Sequence, residues 1–70
     1  MSGEQTALKV VQDWVHSGAE FPGYHFVQCA VSDLLQKMRV HLDRAEDVLA
    51  STALDEIEEI TQALRKHCGL

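Results

Sequence analysis

Apolar residues recur at helical spacing from Tyr24 to Ala50, and no other feature narrows the possible folds of this chain as sharply. At about 100° per residue, Tyr24, Val27, Val31, Leu34, Leu35, Met38, His41, Leu42, Ala45, Val48 and Leu49 fall on one side. Asp33, Gln36, Asp43 and Asp47 point away on the same wheel. The spacing predicts one long helix over about 24–50, roughly 40 Å from end to end. A rival reading takes Tyr24 to Val31 as a strand, because aromatic and β-branched residues are dense there, with Ser32-Asp33 capping a shorter helix behind it. A lone strand needs a partner, and no second strand candidate exists in the sequence, so this rival requires pairing between two chains. The helix ranks first.

The flanking segments are also helical. Ala7, Leu8, Val11, Trp14 and Val15 recur at three- and four-residue spacing, which predicts a helix from about Ser2 or Glu4 to His16. Ser17-Gly18 ends it, with Gly18 suited to a left-handed cap. Pro22 is the only proline and marks the strong turn Phe21-Pro22-Gly23. At the other side of the long helix, Ser51-Thr52 offer N-cap hydroxyls, and Asp55 stands where a capping box places its acid. Ala53, Ile57, Ile60, Leu64 and His67 follow at helical spacing over about 52–68. Asp55, Glu56, Glu58 and Glu59 lie toward the start, and Arg65, Lys66 and His67 at the end, the order the helix dipole favours. Gly69 stops the segment. The expected fold is therefore all-α, a single domain over 1–70. A short N-terminal helix precedes an antiparallel helical hairpin.

Seventy residues supply little core. The stripe on the long helix is wider than one partner helix covers. Self-association into a dimeric helical bundle would complete the burial, with Val27, Val31, Leu34, Met38, Leu42, Ile57, Ile60 and Leu64 as the oligomer core. Phe26 and Cys29 lie roughly opposite this stripe and need cover of their own.

Charge and cysteine content restrict function. Six Lys and Arg stand against eleven Asp and Glu, a formal net charge of −5. Nucleic-acid affinity comes mainly from basic side chains neutralising phosphates, and Lys9, Lys37, Arg39, Arg44, Arg65 and Lys66 are dispersed among carboxylates. No nucleic acid is expected to bind; an acidic body suits a protein partner with a basic surface. No membrane span is expected from apolar runs of two or three residues, and neither a signal peptide nor a lipidation motif is seen. Two cysteines, Cys29 and Cys68, fit reduced thiols in a cytoplasmic protein better than a stapled secreted domain.

Candidate chemistry is sparse. His25 and Cys29, four apart, share a helix face at workable metal-ligand spacing. With the hairpin turning near Ser51, however, Cys68 would come level with Leu34, about 7 Å short of Cys29 along the axis. His67 and Cys68 also point about 100° apart. A surface histidine and a small buried cysteine are the ordinary reading, and no metal or other cofactor is expected. His41, at the edge of the stripe, reads as a polar residue that fixes the register of a helix seam. No Gly-rich phosphate loop, zinc-protease run or nucleophile elbow appears, and a chain this short rarely carries both a core and a preorganised pocket. No catalytic residues are expected.

Aromatic placement is the least ordinary feature. Trp14, Phe21, Tyr24 and Phe26 all fall between positions 14 and 26. They either close the open end of the hairpin or form a recognition patch, since Trp and Tyr are enriched among binding hot spots. The functional expectation is a non-enzymatic protein-interaction module of inhibitor or antiactivator, adaptor or chaperone type. It would bind a larger protein through these four residues. The alternatives are a metal- or redox-responsive helical protein using Cys29, His25 and Cys68, or a structural subunit of a larger assembly.

Overall fold

The computed structural model describes residues 3–69, with side chains described from Ala7 onward. It contains three helices: α1 (Gly3–Ser17), α2 (Tyr24–Asp43) and α3 (Asp47–Cys68). The described residues form no strand, so Tyr24 to Val31 opens a helix and the strand alternative falls. Ser32-Asp33 sits inside α2 and caps nothing.

Gly18 takes a left-handed φ of 70° after α1, as its place behind Ser17 predicts. Gly23 carries φ 107° at the N-cap of α2, a conformation that side chains disfavour. Pro22 and Gly23 together reverse the chain between α1 and α2, and Val27 N–H donates to Gly23 O at 3.3 Å to begin the helix.

The predicted helix over 24–50 is two helices. It breaks at Arg44-Ala45-Glu46, and α3 begins at Asp47, not at residue 52. Ala45 adopts φ 56°. Ala45 N–H donates to Leu42 O at 3.1 Å and Glu46 N–H to His41 O at 2.7 Å. This pair of bonds is a Schellman motif, which satisfies the last carbonyls of α2. Glycine normally holds its left-handed position. Alanine costs about 1 to 2 kcal/mol there, and its presence left no signal in the sequence. Packing offsets the strain. A single straight helix could not lay its second half on its first, whereas the turn lets Ala50, Ala53 and Ile60 bury against α2. Ser51 and Thr52 consequently lie within the span of α3, on its exposed side, and Thr52 Oγ1 donates back to Val48 O at 3.0 Å instead of capping.

The core consists of Leu8 and Val11 from α1, Val27, Ala30 and Leu34 from α2, and Ile60 from α3. Trp14, Val15, Phe21, Val31, Ile57 and Leu64 pack against it. Helix α2 lies between the other two, which meet each other more lightly. Two neighbours rather than one explain the largest departure from the expected wheel. Asp33, expected to point away, is only 8% exposed. Its Oδ2 lies 3.2 Å from Lys37 Nζ, one turn on, without a hydrogen bond of good geometry. Conversely, the far end of the stripe is bare: Leu42 is 54% exposed and Val48 80%. Of the expected oligomer core, Val27, Leu34 and Ile60 are consumed inside one chain. Val31, Met38, Ile57 and Leu64 are half-buried, and Leu42 is exposed.

Candidate functional site

The turn at residues 44–46 fixes which side chains meet at the opposite end. Counting twenty-two residues back along α2 and twenty-two forward along α3 from Glu46 brings Cys68 level with Tyr24, not with Leu34 as a turn at Ser51 requires. Tyr24 Oη and Cys68 Sγ lie 3.6 Å apart. Helix α1 ends here too, and the loop between α1 and α2 crosses the same end.

Four rings converge. Trp14 meets Phe21 edge-on with centroids 5.0 Å apart, and Phe21 meets Tyr24 in the same way at 5.1 Å. The His67 imidazole stacks on Phe21 at 3.9 Å with the planes 21° apart, and presents its edge to Trp14 and Tyr24 at 6.2 and 6.3 Å. Edge-to-face and offset contacts of this kind add about 0.5 to 1.5 kcal/mol per pair beyond the area they bury. Trp14 and Phe21 are half-buried against the core, whereas Tyr24 is 61% exposed at the rim.

Sequence reasoning grouped Trp14, Phe21, Tyr24 and Phe26. The structure brings the first three together and leaves Phe26 out. Two residues beyond Tyr24 on a helix is about 160° around the axis, and the ring near Phe26 is that of His25, at 6.3 Å. His67 takes the fourth place. Its signal was present, because it continues the apolar spacing of Ile60 and Leu64. Only the misplaced turn kept it from being assigned to the aromatic end.

The electrostatics of the cluster are mild. Tyr24 holds its proton above the usual value near 10, first because it hydrogen-bonds with the Cys68 thiol, then because an ionised Cys68 would repel the phenolate. Beside the cluster, His16 Nε2 lies 3.1 Å from Glu59 Oε2, and Gln12 Nε2 donates to Glu56 Oε2 at 3.2 Å. These contacts tie α1 to the acidic side of α3.

Elsewhere, Cys29 Sγ lies 3.8 Å from His25 Nε2 on the outside of α2. Both cysteines are free thiols. Among the described residues, no three His, Cys, Asp or Glu side chains converge closely enough to hold a metal ion. His41 Nδ1 lies 3.2 Å from Glu46 Oε1, so this histidine clasps the turn between α2 and α3. A groove of about 200 Å³ opens nearby between the helices, lined among others by Leu8, Gln12, Lys37, His41, Leu49 and Glu56. No helix among the described residues is long and apolar enough to cross a membrane. Comparison with protein-family models, curated proteins and solved structures finds no match for this chain.

Proposed function

We propose that this chain is a non-enzymatic, homodimeric interaction module of the cytoplasm that binds and modulates a larger protein, as an inhibitor, adaptor or chaperone. The observation that carries the reading is the exposed Tyr24 ring, held at the rim of a cluster whose Trp14 and Phe21 rings pack against the core. A ring fixed in this way loses little conformational entropy when a partner covers it, so more of its burial appears as affinity. Its apolar face can be buried while the hydroxyl stays wet. Phe21 and Trp14 then act mainly by holding Tyr24 in place. Phe26 contributes from a separate side of α2. The acidic surface around Glu56 and Glu59 favours a partner with basic residues and steers its approach.

Capture from native cytosol on immobilised protein tests this, with retained proteins compared between the wild type and Tyr24→Ala. Loss of a hot-spot tyrosine costs about 1 to 3 kcal/mol of binding. The variant should therefore release most of the specific partner while keeping its helicity and oligomeric state. Equal retention by both would place the contact elsewhere.

A redox- or metal-responsive role has one observation behind it, the Cys29–His25 contact at 3.8 Å. Cys68 lies with Tyr24, about 100° around α2 from His25. Metal analysis of protein purified without chelator checks that role directly.

A further inference from the structure

The two cysteines have different neighbours. Cys68 Sγ lies 3.6 Å from the Tyr24 hydroxyl, a phenol that keeps its proton at neutral pH. Cys29 Sγ lies 3.8 Å from His25 Nε2, which carries a lone pair in the Nδ1–H tautomer. Only the second pair joins two good metal donors, a sulfur and an imidazole nitrogen.

Their separation is the bite of a chelate. Residues four apart stand one above the other on a helix face. Zinc binds thiolate sulfur at about 2.3 Å and imidazole nitrogen at about 2.0 to 2.1 Å. At those lengths, two donors 3.8 Å apart subtend about 120° at a shared ion, about ten degrees wider than the tetrahedral angle. Helix α2 therefore already holds both donors at the spacing one ion needs. The donor set also selects the ion. Thiolate and imidazole suit zinc and its softer neighbours, whereas calcium and magnesium take oxygen.

The surroundings leave the pair open. His25 is exposed, and Cys29 is a half-buried free thiol. The Phe26 ring meets the His25 ring edge-on at 6.3 Å and restricts its swing. Ser32 and Gln36 continue the same face of α2 for two turns beyond Cys29, both exposed and uncharged. No cationic side chain on that stretch of the face repels an incoming ion, and solvent can fill the remaining coordination positions.

We infer that His25 Nε2 and Cys29 Sγ form a bidentate site for a zinc-class divalent ion, with its other positions open to water. The inference deepens the metal-responsive reading above and rests on it. On binding, the sulfur gives up its proton to solvent and both bonds form to the metal; nothing is oxidised or reduced. The ion staples residues 25 and 29 across one turn. Helix α2 begins at Gly23 with no side-chain cap and no acid in its first turn, so its start gains most from such a staple. Tyr24 sits on that same turn, which couples the ion to the proposed contact surface.

Cobalt(II) is the probe, because sulfur bound to cobalt gives a charge-transfer band in the near ultraviolet that water and imidazole do not. Reduced, chelator-free protein titrated anaerobically should develop this band, and added zinc should bleach it. His25→Ala and Cys29→Ala should each weaken binding at least about tenfold, the least that losing even an outer partner of a metal ligand costs. Cys68→Ala should bind like the wild type. Circular dichroism without metal shows that each variant keeps its helices. The thermal midpoint of the wild type should rise with zinc concentration, and that of Cys29→Ala should not. A band that survives in the His25 and Cys29 variants, or vanishes with Cys68→Ala, overturns this site and leaves a metal-responsive role standing. No band in the wild type overturns the site and the metal-responsive role together.

Discussion

At one end of the α2–α3 pair, Tyr24 and Cys68 meet beside a cluster of rings; at the other, Val40, Leu42, Val48 and Leu49 stand in solvent around a three-residue turn. The two ends are ordered by different means. The aromatic end has no tight connection, because α2 begins and α3 stops there. Side chains do the joining, through ring contacts among Trp14, Phe21, Tyr24 and His67. The turn end is joined by backbone, through the Schellman bonds at Ala45 and Glu46 and the His41–Glu46 clasp. Where the backbone supplies the order, large side chains are left free of structural duty. That is why aliphatic residues can be exposed at the turn end, while Trp14 and Phe21 at the other end are partly covered.

The strongest way to break this contrast is to remove what both ends share. Leu34 lies near the middle of α2 at 2% exposure. Leu34→Ala should cost about 3 to 5 kcal/mol, the lost burial plus the cavity left behind. That is a large part of the stability of so small a domain. Thermal and urea melts followed by circular dichroism should show a largely unfolded population at room temperature. A loss below about 1 kcal/mol would mean the two ends fold independently of a common core.

The contrast itself is sharpened by comparing one substitution at each end. Phe21→Ala removes a half-buried ring with three ring neighbours and should cost about 2 kcal/mol in the same melts. Leu42→Ala should change monomer stability by less than about 0.5 kcal/mol, measured at concentrations low enough to suppress association. Equal losses at Phe21 and Leu42 would show that the turn end relies on side chains after all. Ala45→Gly tests the backbone half of the contrast. It relieves the left-handed strain at φ 56° and should raise stability by about 0.5 to 1 kcal/mol, less than the full strain because glycine also loosens the unfolded chain.

Much of this architecture was legible in the residues. The 3.6-residue spacing located all three helices, Gly18 took the left-handed position its place implied, and α3 stops at Gly69 as expected, with φ 76° there. The break after Asp43 was not legible, because the motif that makes it uses alanine where glycine would announce it. One misplaced turn then shifted every pairing between α2 and α3 by several residues. It put Cys68 beside Leu34 instead of Tyr24 and hid the role of His67. Asp33 was misread for another reason. A wheel built on a single partner helix treats the other side of α2 as solvent, and α1 also packs against this helix. The aromatic grouping survived for Trp14, Phe21 and Tyr24 because those residues are close in sequence on either side of Pro22-Gly23. Phe26 was included on proximity alone, and helical phase separates it.

The smallest expected effect concerns the polar contact between Tyr24 and Cys68, which joins α2 to α3 at the aromatic end. Tyr24 is the only tyrosine, so its ionisation can be followed by ultraviolet difference absorbance in the intact protein. In the folded chain its proton is held above the ordinary value, through the hydrogen bond with Cys68 and the repulsion an ionised thiol would add. Removing the sulfur by Cys68→Ala should lower the titration midpoint toward 10. Cys29→Ala, on another side of α2, should leave it in place. The sign for stability follows from linkage. A group whose folded value is raised binds more protons in the native state as the pH climbs past its unfolded value. Whatever the contact contributes is therefore fully present below pH 10 and is lost as the pH rises through the folded midpoint. Between neutral pH and pH 9, wild type and Cys68→Ala should thus keep a constant difference in melting temperature as far as Tyr24 is concerned. Above pH 10 the two should converge. An unchanged midpoint in Cys68→Ala would show that the 3.6 Å approach does not persist in solution, and that the rings alone hold this end together.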